Sequence, residues 1–215
     1  VLEVDLYLAS FPALARAFSV TESSIQQSLS IYLFIIAIFT LLIGPLSDRF
    51  GRKKVFLSSL FIDWIGTLLI LITKNFELFI VGRALQAFGG GAGSVLPRVL
   101  AKELFPKGSS KAIPALFTGI SFSIILAPIL GGMIEESWDW HGNFILLALF
   151  QGFLWLLVWK GIPKTPPITS SFSLTDSAKR FVKSLKLAEL RYLGGIVAIA
   201  WSGFFIFVHS APLLI

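Results

Sequence analysis

Long apolar runs, each ended by a short polar or charged stretch, make up most of the chain. They fall at about 1–18, 25–46, 55–73, 77–97, 112–134, 142–161 and 192–215, near the roughly 20 residues that a helix needs to cross a bilayer. The breaks carry turn or charge signals: Ser19 to Ser24, Ser47 to Lys54, Lys74-Asn75, Lys107 to Lys111 and Glu135 to His141. One gap is longer, 162–190, and opens with Pro163, Pro166 and Pro167. The pattern predicts an all-α membrane protein with a six-helix bundle over 1–161, a linker over 162–190 and the beginning of a seventh span over 191–215. Within the linker, Ala178, Phe181, Val182 and Leu185 recur at helical spacing from Leu174 among Lys179, Arg180, Lys183 and Lys186. That spacing suits an amphipathic helix on a membrane surface, and a solvated charged linker is the other reading.

Composition agrees. Of 215 residues, 55% are hydrophobic and 14% charged, against a usual charged share of about 25%. A water-soluble domain could not cover its surface with so few polar groups, and disordered chains lack this many aromatic and branched residues. The absence of Cys removes disulfide scaffolds, thiolate metal sites and thiol nucleophiles. With His only at 141 and 209, the sequence offers no metal site, no catalytic constellation and no cofactor motif. The chain begins at Val1, has its only Met at 133 and stops inside an apolar run, so it reads as a part of a longer protein.

The net charge of +6 takes its meaning from location. Alternate breaks collect Arg49, Arg52, Lys53 and Lys54, then Arg98, Lys102, Lys107 and Lys111, then the basic residues from Lys160 to Arg191, 15 of the 18 in all. Cytoplasmic loops retain Lys and Arg. The excess is therefore a topology signal rather than a nucleic-acid one, and it predicts a cytoplasmic amino terminus and linker in a plasma or inner membrane. Trp138 and Trp140 at one end of the sixth span, and Trp155 and Trp159 toward the other, fit aromatic belts.

Ionised side chains near the middle of a span cost on the order of 3 kcal/mol on insertion scales and need a reason. Four lie in apolar runs: Glu3, Asp5, Asp63 and Arg83. Glu3 would lie near the cytoplasmic mouth, Asp5 a turn deeper, and Asp63 has no partner nameable from sequence. Arg83 stays charged at any reachable pH, so it needs an anion or a water-filled cavity; a structural pair with a carboxylate would also satisfy it. Gly89-Gly90-Gly91-Ala92-Gly93 would let backbones approach closely in lipid. No Gly-Lys-Ser/Thr follows, so this is not a phosphate loop. Pro128, which lacks a backbone donor, and the pair Gly131-Gly132 predict a bent, tight crossing in the fifth span.

Between the second and third spans stands Gly44-Pro45-Leu46-Ser47-Asp48-Arg49-Phe50-Gly51-Arg52-Lys53-Lys54. Asp48 is expected at a helix start, where a carboxylate complements the positive dipole end, and Gly51 at a turn too tight for a Cβ. The string resembles the signature loop of the major facilitator superfamily at every defined position. Arg83-x-x-Gln86 with Gly89, Gly91 and Ala92 is similar to that family's fourth-helix motif, with Ala87 where Gly is usual. Ala127-Pro128-x-x-Gly131-Gly132 resembles the fifth-helix motif of antiporters, with Ala127 in place of a Gly. Asp5-Leu-Tyr7-Leu-Ala9-Ser-Phe-Pro12 resembles the first-helix motif of the Bcr/CflA-type drug:proton antiporters, with Ala9 for the first Pro, and Arg98 to Glu103 echoes the end of their fourth helix.

The resemblance implies the amino-terminal bundle of a twelve-helix transporter, two inverted three-helix repeats, whose partner is a carboxy-terminal six-helix bundle of the same chain that the seventh span opens. It implies a cavity between the halves holding a small-molecule substrate against Asp5, Tyr7, Tyr32, Arg83 and Gln86. Gly44, Asp48, Arg49, Gly51, Arg52 and Lys53 would form a gating loop. Asp5, with Arg83 biasing it, would carry protons, because burial raises a carboxylate's proton affinity and a nearby cation lowers it. The expected activity is proton-coupled efflux of small amphipathic compounds. Alternatives are a symporter or facilitator importing a metabolite and an inactive remnant; a membrane-embedded enzyme lacks its constellation.

Overall fold

A computed structural model describes the backbone of residues 2–106, 108–167, 179, 183 and 186–210, and most side chains among them. The side chains of Leu2, Asp5, Ala9, Ser109, Ser110, Trp201 and 204–210 lie outside the described residues, as does nearly all of the expected amphipathic helix in the linker. Every element in the described residues is helical: α1 Leu2–Ala9, α2 Phe11–Phe18, α3 Glu22–Phe50, α4 Arg52–Ile72, α5 Phe76–Leu104, α6 Ser109–Gly161 and α7 Ala188–Ser210. Two compact units are present, Val1–Phe172 and Ser173–Ile215, and α7 belongs to the second.

The first apolar run, expected as one span, is two helices broken at Ser10. Pro12 explains the break: it brings no N–H, and its ring would meet the carbonyl four residues back if the helix continued. The amide of Ser10 bonds to Tyr7 O at 3.1 Å and the amide of Leu14 to Ser10 O at 2.9 Å, so the interruption is a tight turn. α3 starts under a side-chain cap, the Thr21 hydroxyl accepting from the Ser24 amide at 3.2 Å, and Asn75 caps α5 through the Glu77 amide at 2.7 Å.

The two spans expected at about 112–134 and 142–161 are the two limbs of α6, separated at Asp139, where the backbone leaves helical geometry (φ 58°, ψ −176°). The chain reverses there. Asn143 Nδ2 donates to Gly131 O at 3.2 Å, two groups that a straight helix would hold about 18 Å apart at 1.5 Å per residue. The reversal at Asp139 falls within the break expected over 135–141 and takes a single non-helical residue. Of the aromatic anchors expected there, Trp138 is exposed but Trp140 is buried against Phe18 and Phe144. Its ring fills the core of the bundle and does not serve as a belt.

Glycines set the helix spacing. A Cβ on Gly82 would strike Ile70, and one on Gly66 the Gly82 carbonyl, so α4 and α5 touch backbone to backbone. Gly89 sits against the Asp63 side chain, whereas Gly90 faces the Tyr32 hydroxyl and Ile36, and Gly91 faces Phe39. The glycine run therefore serves α4 on one side and α3 on the other, as small residues do in lipid. Gly132 differs: a Cβ there meets nothing among the described residues, so the tight crossing expected at Pro128, Gly131 and Gly132 reduces to the buried Gly131 and its carbonyl's bond to Asn143.

Two apolar clusters fill the bundle. One joins Tyr7, Phe11, Leu14, Ile25, Leu29 and Phe79; the other joins Ile43, Val55, Phe56, Leu60, Leu96 and Val158. The outside is as apolar as the inside, with Phe34, Ile72, Phe122 and Leu149 largely exposed. Such a surface requires a lipid environment. Glu22–Phe50, Arg52–Ile72 and Lys111–Gly161, the last of them double-length, are long and apolar enough to cross a membrane.

Gly89→Ala is expected to destabilise the complete protein by about 1–3 kcal/mol, the usual cost of overpacking. Gly93→Ala, whose Cβ would meet nothing within 4 Å, is the matched control. Thermal unfolding in detergent checks the pair, and equal transition temperatures would contradict the close contact.

Candidate functional site

Arg83 is the largest fully enclosed side chain of the bundle. Helix α5 carries it inward where α1, α3 and α4 converge, and four groups receive it. Its Nη1 donates to Gln86 Oε1 at 2.8 Å and lies 3.8 Å from Glu3 Oε1. Its guanidinium carbon stands 4.0 Å from the Tyr7 ring centroid and 4.3 Å from that of Tyr32. Cation–π contacts in a desolvated site are worth about 2 kcal/mol, so both rings share in holding the charge. Nε and Nη2 have no hydrogen-bond acceptor among the described residues.

Each receiving group is itself held. The Tyr32 hydroxyl donates to Glu3 Oε2 at 3.2 Å, the Tyr7 hydroxyl donates to Ile25 O at 3.0 Å and contacts the Ser28 hydroxyl. Gln86 Nε2 donates to Thr67 Oγ1 at 2.8 Å, and Thr67 donates to the Asp63 carbonyl at 3.3 Å. Glu3 and Tyr7 stand four residues apart, on one face of α1. The structure thus brings together Tyr7, Tyr32, Arg83 and Gln86, all predicted site residues, and encloses all four in the bundle. Asp5 belongs to α1, and its side chain lies outside the described residues.

Two acids resolve differently than sequence suggested. Glu3, expected near a mouth, lies buried against Arg83; the missing signal was depth, because nothing in the run reports how far along a span its first residue sits. Asp63 is buried and its Oδ1 accepts from Gln151 Nε2 at 2.7 Å. The pair lies at the seam between the two apolar clusters, between Leu60 and Ile70 on α4 and between Leu147 and Val158 on α6. Gln151 stands alone among apolar residues from Phe144 to Trp159 apart from Gly152, which was the available clue.

The signature loop closes one end of the bundle. Asp48 occupies the last turn of α3, not the start of a helix as expected; α4 begins four residues later at Arg52. At that place the helix dipole disfavours a carboxylate, and Arg52 offsets it with Nη1 2.7 Å from Asp48 Oδ1. The same guanidinium donates to Ser47 Oγ at 2.7 Å and, from Nε, to Glu103 Oε1 at 2.9 Å. One arginine so ties α3 and α5 to the first turn of α4. Gly51 has φ +90°, a conformation in which L side chains are strained. Arg49 lies over the Phe50 ring at 5.0 Å, and Gly44 is open to its surroundings, its carbonyl accepting from Ser47 Oγ at 2.8 Å. Lys53 Nζ donates to the carbonyls of Trp159 (2.6 Å) and Ile162.

The described residues of the first unit thus form a helical bundle with an apolar exterior, a buried cation at its heart and a basic, interlocked loop at one end. The Major Facilitator Superfamily model matches residues 2–215, and the chain belongs to that superfamily. Multidrug resistance protein D of Escherichia coli is 28% identical over 91% of this chain and 50% of its own length. The chloramphenicol resistance protein CraA of Acinetobacter baumannii is 35% identical over 76% of this chain and 39% of its own. A bicyclomycin resistance protein homolog of Haemophilus influenzae is 29% identical over 98% and 54%. The chain spans about half the length of the curated relatives it matches. The crystal structure of the human organic anion transporter MFSD10 shares the fold, with a TM-score of 0.58 at 20% identity over 80% of this chain and 42% of that one.

Tyr32→Phe removes the hydrogen bond to Glu3 and keeps the ring over Arg83, with an expected loss of about 1 kcal/mol. Tyr32→Leu removes both and is expected to lower the unfolding temperature clearly further. Equal shifts in a thermal melt would deny the ring its share.

Proposed function

We propose that the complete protein exports small amphipathic organic compounds in exchange for protons by alternating access. The observation that carries the reading is Arg83, sealed in the bundle with the Glu3 carboxylate at 3.8 Å and two tyrosine rings against it. A fixed cation beside a carboxylate in a low-dielectric site makes the proton affinity of that carboxylate depend on wetting. Opening the site toward one side or the other then exchanges protons for substrate. Asp5 is the proposed carrier and Arg83 the group that biases release; Glu3 is added as a second candidate carboxylate, since it already shares the face of α1 with Tyr7. Tyr7, Tyr32 and Gln86 would meet substrate once the halves part.

The ends of α3, α5 and α6 that carry Arg49, Lys102 and Lys160 meet through Arg52 and Lys53, at one end of the bundle. We assign that end to the cytoplasm of a plasma or inner membrane, with the amino terminus and the 162–190 linker. The division into 1–161, 162–190 and 191–215 belongs to this reading, as does a second six-helix bundle closing the cavity. Gly44, Asp48, Arg49, Gly51, Arg52 and Lys53 would gate the cycle. Relatives named for multidrug, chloramphenicol and bicyclomycin resistance support efflux over import.

Cells expressing the complete gene should accumulate less of a cationic fluorescent dye than controls, and a protonophore should abolish the difference. Asp5→Asn is expected to reduce proton-driven efflux at least about a hundredfold, the scale of losing a proton-transfer group. Glu3→Gln run beside it tells which carboxylate carries the proton. Efflux that persists in both variants and resists the protonophore would refute the coupling scheme.

A further inference from the structure

The gap that follows α6 starts with Ile162-Pro163-Lys164-Thr165-Pro166-Pro167, and this stretch does not leave the bundle freely. It crosses the signature loop. Gly51, the residue before α4, has no side chain to cap that helix, and the first amides of any helix lack intrahelical partners. The Lys53 amide instead donates to the hydroxyl of Thr165 at 2.8 Å, across 112 positions of sequence. The reverse bond exists as well. The last carbonyls of α6 also lack partners, and the Lys53 ammonium donates to those of Trp159 and Ile162. A cation at a helix C-terminus also complements its dipole. Each helix end is therefore capped by a residue of the other segment.

Two further facts make the contact stiff. Ile162 and Thr165 each precede a proline, which excludes the helical region for them and holds them extended; Ile162 is at φ −95°, ψ 127°. The Thr165 carbonyl also lies 2.5 Å from where a Cβ on Gly51 would stand. The glycine is thus required twice, by its φ of +90° and by the strand of chain lying over it.

We propose that residues 162–165 form a strap of the gating loop, with Thr165 as a positioning residue that couples the linker between the halves to the start of α4. Force applied to the linker as the halves rock reaches Lys53 and Gly51 through two proline-stiffened anchors, so the linker acts as a mechanical part of the gate. The inference rests on the alternating-access reading and not on proton coupling.

The test uses the complete chain purified in nanodiscs. Amide hydrogen exchange reads the cap without any transport assay: Thr165→Val should speed exchange at residues 53–56 about fivefold, the factor for one lost hydrogen bond, and Thr165→Ser should restore it. Lys53→Met should speed exchange at the last turn of α6. In a transport assay, Thr165→Val should lower the maximal rate with KM unchanged, and Thr165→Ser should recover it. Unchanged exchange in Thr165→Val would remove the strap; faster exchange with an unchanged maximal rate would remove its coupling role. Absence of proton dependence in the unsubstituted protein would overturn the coupling scheme above and leave both readouts standing.

Discussion

A guanidinium that cannot be deprotonated, placed where water does not reach, is the constraint around which this bundle is organised. Taking an ion into a low-dielectric interior is costly unless attraction and hydrogen bonds replace its hydration. Arg83 draws that replacement from three other helices: Glu3 and Tyr7 from α1, Tyr32 from α3 and, through Gln86, Thr67 from α4. The receiving groups are in turn fixed by Ser28, Ile25 O and the backbone of α4. Because each helix contributes, none can move relative to α5 without changing the environment of the charge. That property is what a transporter needs, since a change in helix arrangement becomes a change in electrostatics.

Close approach makes the arrangement possible. Gly66, Gly82 and Gly89 bring α4 and α5 together, and Gly90 and Gly91 bring in α3. Without that proximity the Gln86–Thr67 bond and the seat of Asp63 would be out of reach. Most driving force for packing in lipid comes from such contacts and from interhelical polar bonds, because the tails outside are as apolar as the core. The buried Asp63–Gln151 pair at the seam of the two apolar clusters follows the same logic, joining α4 to the returning half of α6.

The basic end of the bundle is built on different principles. Its bonds join charges to one another and to helix ends, around a buried Arg52. Arg52 and Lys53, neighbours in a cluster that reads as a uniform topology signal, have separate tasks: Arg52 binds the carboxylates of Asp48 and Glu103, whereas Lys53 holds the carbonyls that end α6. Trp155 adds a bond from its indole nitrogen to Leu57 O at 3.1 Å. The loop is therefore a node where α3, α4, α5 and α6 meet, and a change at any of the four reaches the others.

Periodicity and run length supply the helical class and the number and approximate limits of the apolar runs, because a hydrocarbon layer imposes a length and a composition that local sequence must satisfy by itself; the superfamily was legible instead in the motifs at 44–54, 83–92 and 127–132. The special role of Gly51, the glycine contacts of α5 and the isolation of Arg83 could be read for the same reason: each violates a local rule. The break at Ser10 and the place of Asp48 in the last turn of α3 differ from the sequence expectation, since helix ends depend on which neighbour supplies the missing bonds. Pairing required three dimensions throughout. That Glu3 meets Arg83, that Gln151 meets Asp63 and that Thr165 caps α4 are relations between positions 80, 88 and 112 residues apart, and a one-dimensional pattern holds no information on which of several buried polar groups the folded chain brings within reach of another.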